Sequence, residues 1–123
     1  MDKAQAIYQF WSSFGLNAYD ENSLPDDAVM PYITYQTVTD SLDNVVPMSA
    51  SIWYRSTSWA DCQRKAEAIA KAIAEKGFVR YPVTGGYVWI TKGAPFAQRV
   101  PDTSDLQVKR MYLNITAEYL TAY

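Results

Sequence analysis

Histidine is missing from this chain, cysteine occurs once and glycine only five times. Without an imidazole, the usual partner for activating a serine or cysteine nucleophile is gone, and so is the commonest zinc ligand. No G-x-S-x-G elbow occurs, and the lone cysteine, Cys62, sits on an apolar stripe, which predicts a core position. A single cysteine also rules out an intramolecular disulfide. "TGG" and "TKG" lack the G-x-x-x-x-G-K-[ST] spacing of a phosphate loop and read as turns. No apolar run approaches the ~20 residues of a membrane helix. Eleven basic against thirteen acidic side chains leave a formal charge of −2, the wrong sign for a surface that grips phosphates throughout. Any basic patch must be local. The acids of "YDENSLPDD", Asp20, Glu21, Asp26 and Asp27, lack the alternation and central glycine of a calcium loop and predict a solvated loop. These absences predict no catalytic residues, no metal and no cofactor. The opening "MDKAQAIYQFW" carries no secretory pattern, so a soluble protein made and kept in the cytoplasm is expected.

What is present is a core and an aromatic surplus. At 123 residues with 49% hydrophobic side chains, the chain suits one packed domain spanning residues 1–123. Ile7, Phe10, Trp11 and Phe14 recur at helical spacing between a capping Asp2 and Gly15. A second stripe, Trp59, Cys62, Ala66, Ile69 and Ile73, predicts a longer helix that starts at a Ser58/Asp61 capping pair and stops at Gly77. On its solvated side Asp61/Lys65, Glu67/Lys71 and Lys71/Glu75 are neighbours of opposite charge.

Strand chemistry fills the remainder. Tyr32–Thr39 and Ser49–Ser56, rich in β-branched and aromatic residues, predict an antiparallel pair around a long polar loop. "FVRYPV" and "YVWITK" flank a glycine pair, and a turn at Gly85–Gly86 would pair Val83 with Val88 and Tyr81 with Ile90. The final segment alternates, with Met111, Leu113, Ile115, Ala117 and Tyr119 on one side and Arg110, Tyr112, Asn114, Thr116 and Glu118 on the other. The predicted fold is α+β: an antiparallel or mixed sheet of about five strands, with two helices packed on one face and the other face without an obvious cover.

Ten tyrosines and four tryptophans exceed what so small a core needs, and tyrosine is at home in interfaces. An alternative use for aromatic strands is the base-stacking sheet of RNA- or single-strand-binding domains, with Arg80, Arg55 and Lys92 nearby, though the Arg/Lys-Gly-aromatic motif order is not met.

Four segments carry a resemblance. "PYITYQ" at 31–36, "WYRSTSW" at 53–59, "WITKGAPFAQR" at 89–99 and "RMYLNITAEYL" at 110–120, in this order, look like the tail terminator proteins of long-tailed bacteriophages of Gram-positive hosts. The resemblance spans nearly the whole chain and implies a non-enzymatic, ring-forming subunit, usually a hexamer. Such a ring sits at the head-proximal end of the virion tail, ends growth of the tail-tube protein and offers its other side to the head-tail connector. DNA would pass through without specific binding. Neighbouring roles, a head-side completion protein or a tail-tube subunit, remain alternatives. The candidate interface residues on these segments are Tyr54, Arg55, Trp89, Lys92, Phe96, Arg99, Arg110 and Tyr112. Phe96 and Arg99, in what reads as a loop, are candidate anchors. Phe96 as a cap on the open end of the core stands as an equal reading, and Asp40–Asn44 is a further loop able to protrude.

Overall fold

A computed structural model describes residues 1–123. Helix α1, Lys3–Ser12, begins where the Asp2 carboxylate accepts from the Gln5 backbone N–H at 2.8 Å and Gln5 reciprocates to the Asp2 N–H at 2.8 Å. This reciprocal cap satisfies two amides that a helix start leaves without partners. Strands β1 (Asn17–Asp20), β2 (Tyr32–Tyr35) and β3 (Asn44–Arg55) follow, then helix α2 (Ala60–Lys76) and strands β4 (Val79–Val83), β5 (Gly86–Pro101) and β6 (Val108–Thr121). They form one mixed sheet of six strands in the order β1-β2-β3-β6-β5-β4, with β1 parallel to β2 and every other pair antiparallel.

The alternation of β6 is realised as expected. Met111, Leu113, Ile115, Ala117 and Tyr119 are buried, and their cross-strand partners Ile52, Ala50 and Met48 lie on the same face. Both helices pack there, with Ala6, Ile7, Phe10 and Trp11 from α1 and Cys62, Ala66, Ile69 and Ile73 from α2 joining one continuous core. Truncating a fully buried aromatic such as Trp11 costs about 3–5 kcal/mol. Tyr119 is buried whole, its hydroxyl donating to the Val38 carbonyl, and desolvation pushes that phenol up to about 12.

Five expectations need correction. A sixth strand, β1, occupies part of the predicted acidic loop, because Ala18 is buried under α1 and its neighbours pair with β2. The β4–β5 turn sits at Thr84–Gly85, pairing Val83 with Gly86 and Tyr81 with Val88. A shift of two residues keeps the parity, so Val83, Val88 and Ile90 still face the core. Helix α2 is capped backbone-first at Trp59 with no side-chain cap, while Ser58 Oγ accepts from the Ala60 N–H at 3.0 Å. Asp61 pairs with Arg64 at 3.0 Å, since Lys65 reaches the Phe14 carbonyl at 2.9 Å. Lastly, "KGAPFAQR" is not a loop but the middle and far half of β5.

That half of β5 resumes after a bulge. Lys92 pairs with Ile115 and Ala97 with Leu113, so Gly93–Phe96 face only Asn114 across the ladder. Gly93 is required here because a Cβ on it would stand 2.9 Å from the Asn114 Cβ and 3.0 Å from that residue's backbone. Asn114 Nδ2 donates to the Pro95 carbonyl at 2.9 Å and clamps the bulge in place. The odd number of extra residues resets the alternation, which puts Ala97 and Arg99 on the helix side of the sheet and Gln98 and Val100 on the other.

Candidate functional site

Strand register sorts the candidate residues onto two faces. Arg55, Trp89, Arg110 and Tyr112 lie on the face away from the helices, whereas Tyr54, Lys92, Phe96 and Arg99 do not. The eight positions therefore form no single patch.

The open face is dressed by a linked row. Tyr19 meets Tyr32 edge to face at 5.9 Å, and Tyr32 meets Trp53 at 6.5 Å. The Arg110 guanidinium lies 4.8 Å from the Trp53 ring and 5.7 Å from Tyr112. Each such cation–π contact is worth about 0.5–1 kcal/mol at an exposed site. Two hydrogen bonds fix the row: Trp53 Nε1 donates to Thr34 Oγ1 at 2.9 Å, and Arg110 Nε donates to Ser51 Oγ at 3.0 Å. Arg110 has no carboxylate partner, while Arg55 at the end of β3 is paired with Asp105 at 2.9 Å. The hydrogen bond from that arginine is the main reason the Asp105 carboxyl sits below its ordinary value.

A second aromatic group sits at the far side of the same face. Trp89 stacks on Phe78 with centroids 4.8 Å apart, and Arg80 lies 4.8 Å from the Tyr87 ring. Trp89 Nε1 is shielded and makes no hydrogen bond. Between the groups run Thr91, Thr116, Asn114 and Ser49, small polar residues that leave the sheet surface shallow.

No protein-family model matches the chain, and no curated protein matches it in sequence. The residues themselves must carry the functional reading.

On the helix side, Tyr54 packs against the core beside Asp61, Arg64, Lys65 and Ala68, and burial raises its phenol above the ordinary value. Arg99 donates to Gln63 Oε1 at 3.2 Å, and its guanidinium lies 5.1 Å from the Trp59 ring, with Lys109 at 5.6 Å from the same ring. Trp59 is thus half-buried beneath two cations and is not a member of the fully buried stripe. Phe96 packs on the core edge, consistent with its reading as a cap. Lys92 is exposed. Asp40–Asn44 is tied down: the Leu42 and Asp43 amides donate to the Thr121 and Tyr119 carbonyls at 2.7 and 2.9 Å, and Lys3 Nζ donates to the Asp40 carbonyl at 2.6 Å.

Sequence reasoning missed Trp53, Ser51, Thr34 and Phe78. The first two were findable, because alternation along "SASIWYR" puts Ser51, Trp53 and Arg55 on one side. Thr34 and Phe78 depend on pairings that only the tertiary fold supplies.

Chemically, the open face offers rigid amphipathic rings, already ordered against one another, with the unpaired guanidinium groups of Arg110 and Arg80 among them. Such side chains lose little conformational freedom when a second protein covers them.

Proposed function

We propose that the chain is a structural, ring-forming subunit of a bacteriophage tail, a tail terminator that caps the tail tube and presents a surface for head joining. Two lines support this reading: the four sequence segments that resemble such proteins, and the open sheet face. The face is the observation that carries it, because the row Tyr19–Tyr32–Trp53–Arg110–Tyr112 is held in place by Thr34 and Ser51, lies on the side that neither helix covers, and keeps every member but the buried Tyr32 half-exposed. A subunit that stacks between two other rings needs such a surface in addition to two lateral ones. Its location is then the head-proximal end of the virion tail, its partners are the tail-tube and connector proteins, and the ring is most simply a hexamer. No helix is long and apolar enough to cross a membrane.

Electron microscopy of phage assembled without this protein tests the proposal. Tails of uncontrolled length and unattached DNA-filled heads are expected. Tails of normal length joined to heads would sink the terminator reading, and a defect confined to the head side would favour the completion-protein alternative. A second reading, a single-strand-binding sheet, draws on the same aromatic row. It is the weaker one, since the Trp53 and Tyr112 rings are already engaged by Arg110 and the net charge is −2. Tight, salt-sensitive binding of oligonucleotides in a gel shift would reverse that ranking.

A further inference from the structure

The two lateral margins of the sheet carry opposite charge. Residues 17–31, comprising β1 and the loop after it, contain Asp20, Glu21, Asp26 and Asp27 and no base. Residues 77–101, comprising β4 and β5, contain Arg80, Lys92 and Arg99 and no acid. Strand order places these segments at opposite ends of the sheet. The charges are also unspent. Glu21, Asp26 and Asp27 are exposed and their side chains make no hydrogen bond or ion pair, and none of Arg80, Lys92 and Arg99 meets a carboxylate.

Each margin also holds unmatched apolar or backbone groups. Val29 is 78% exposed beside the acids. On the basic side β4 covers β5 only as far as Ile90, so Ala97–Pro101 pairs with β6 alone and its other backbone edge is unpartnered, next to exposed Ala94 and Pro95. An uncovered strand edge is a standing template for another chain.

We propose that a second copy of this chain occupies that edge: the Glu21–Val29 loop of one copy docks on the Lys92–Pro101 edge of the next, head to tail. A heterologous contact needs two different complementary surfaces on each copy, which the opposite charges supply, and repeated rotation about it closes a ring. The inference deepens the ring reading above and rests on it for closure.

Charge reversal tests the contact. Asp26→Lys/Asp27→Lys turns the Glu21–Val29 loop from −3 to +1 against an edge that stays positive, and Lys92→Glu/Arg99→Glu turns the Lys92–Pro101 edge from +2 to −2 against a loop that stays negative, so each variant alone should fail to associate when measured by sedimentation at low ionic strength. Mixed in equal amounts they should assemble, because each loop then meets an edge of opposite sign. Wild-type association should weaken at least about tenfold between low and high salt, as expected for a contact between screened surface charges. Circular dichroism confirms folding, and where Arg99→Glu disturbs the contact with Trp59, Lys92→Glu alone replaces it. Association of either variant as strong as the wild type, no recovery on mixing, or a wild type that stays monomeric at low salt and high concentration would each overturn the proposal. Phage carrying the reversed variants separate the two ideas: normal heads and tails with them would discard this edge contact while leaving the terminator reading to the deletion experiment.

Discussion

Replacing Gly86 with alanine should cost the subunit about 1–5 kcal/mol, the net of three terms. The first is steric. A Cβ at this position would fall within the van der Waals envelope of the Leu120 carbonyl oxygen and lie 3.0 Å from that carbonyl carbon and 3.1 Å from the Thr121 Cα. All three belong to backbone, so no rotamer change relieves the clash, and β5 must lift away from β6 where Gly86 pairs with Thr121 and Tyr87 with Leu120. Losing one or two ladder hydrogen bonds costs about 0.5–1.5 kcal/mol each. The second term is the backbone: φ is +154° at Gly86, a region nearly closed to residues with a Cβ, at a cost of about 1–3 kcal/mol. The third opposes them, since alanine restricts the unfolded chain and returns about 0.4–1 kcal/mol. Urea denaturation followed by fluorescence measures the result, with Gly77→Ala as control. Gly77 also has a positive φ, +77°, but a Cβ there meets nothing within 4 Å, so only strain of about 1 kcal/mol remains. A Gly86→Ala protein as stable as the wild type, or less affected than Gly77→Ala, would refute the assigned turn and its close approach to β6.

Other outcomes follow from burial and charge. The neighbouring Asp43 carboxylate, with desolvation as a further cause, raises the Glu118 pKa above the ordinary 4.5. A raised folded value means the native state holds the proton more tightly, so this stabilisation is full below about 4.5 and is lost as pH rises through the folded value. Glu118→Gln should flatten the stability profile across that window in pH-dependent melting; an unchanged profile would show that the carboxylates do not interact. Cys62 is fully buried, and desolvation is the main reason its thiol is pushed up to about 11, so maleimide should label it only as fast as the protein opens, in step with added urea. Rapid labelling of the native protein would place the thiol at the surface. Trp59→Ala should cost about 1.5–3 kcal/mol, less than a fully buried aromatic, because the ring is half-buried and loses contacts to Arg99 and Lys109 along with its own packing. A loss as large as that of Trp11→Ala would restore Trp59 to the core.

Much of the architecture was legible because local and tertiary demands agree. β6 alternates along its length, and α2 carries Cys62, Ala66, Ile69 and Ile73 at helical steps, so each shows its buried face without help. Elsewhere the fold overrides local chemistry. "NAYD" has weak strand character, and β1 exists because β2 supplies a parallel partner and α1 covers Ala18. Gly93 and Pro95 read as loop formers, yet the bulge absorbs them and the strand continues. Lys65 stands at helical spacing from Asp61 but finds a carbonyl on α1's exit instead. The candidate surface was legible as residue types and not as a patch. Arg99 and Arg110 are indistinguishable in a list until the bulge in β5 sends Arg99 to the helix side and leaves Arg110 on the other.

The bulge at Gly93–Phe96 also governs what kinds of sequence change β5 can absorb. Its register is pinned on both sides, by Lys92 opposite Ile115 and by Ala97 opposite Leu113, with Asn114 holding the slack between them. A residue gained or lost inside this segment would be taken up as a longer or shorter excursion, with neither flanking ladder forced to slide. The same change three to five positions earlier, among Val88–Ile90, would turn buried side chains outward. β5 therefore behaves as two independently indexed strands joined by an expansion joint. Length variation between relatives of this chain should collect at that joint and be excluded from the paired stretches on either side.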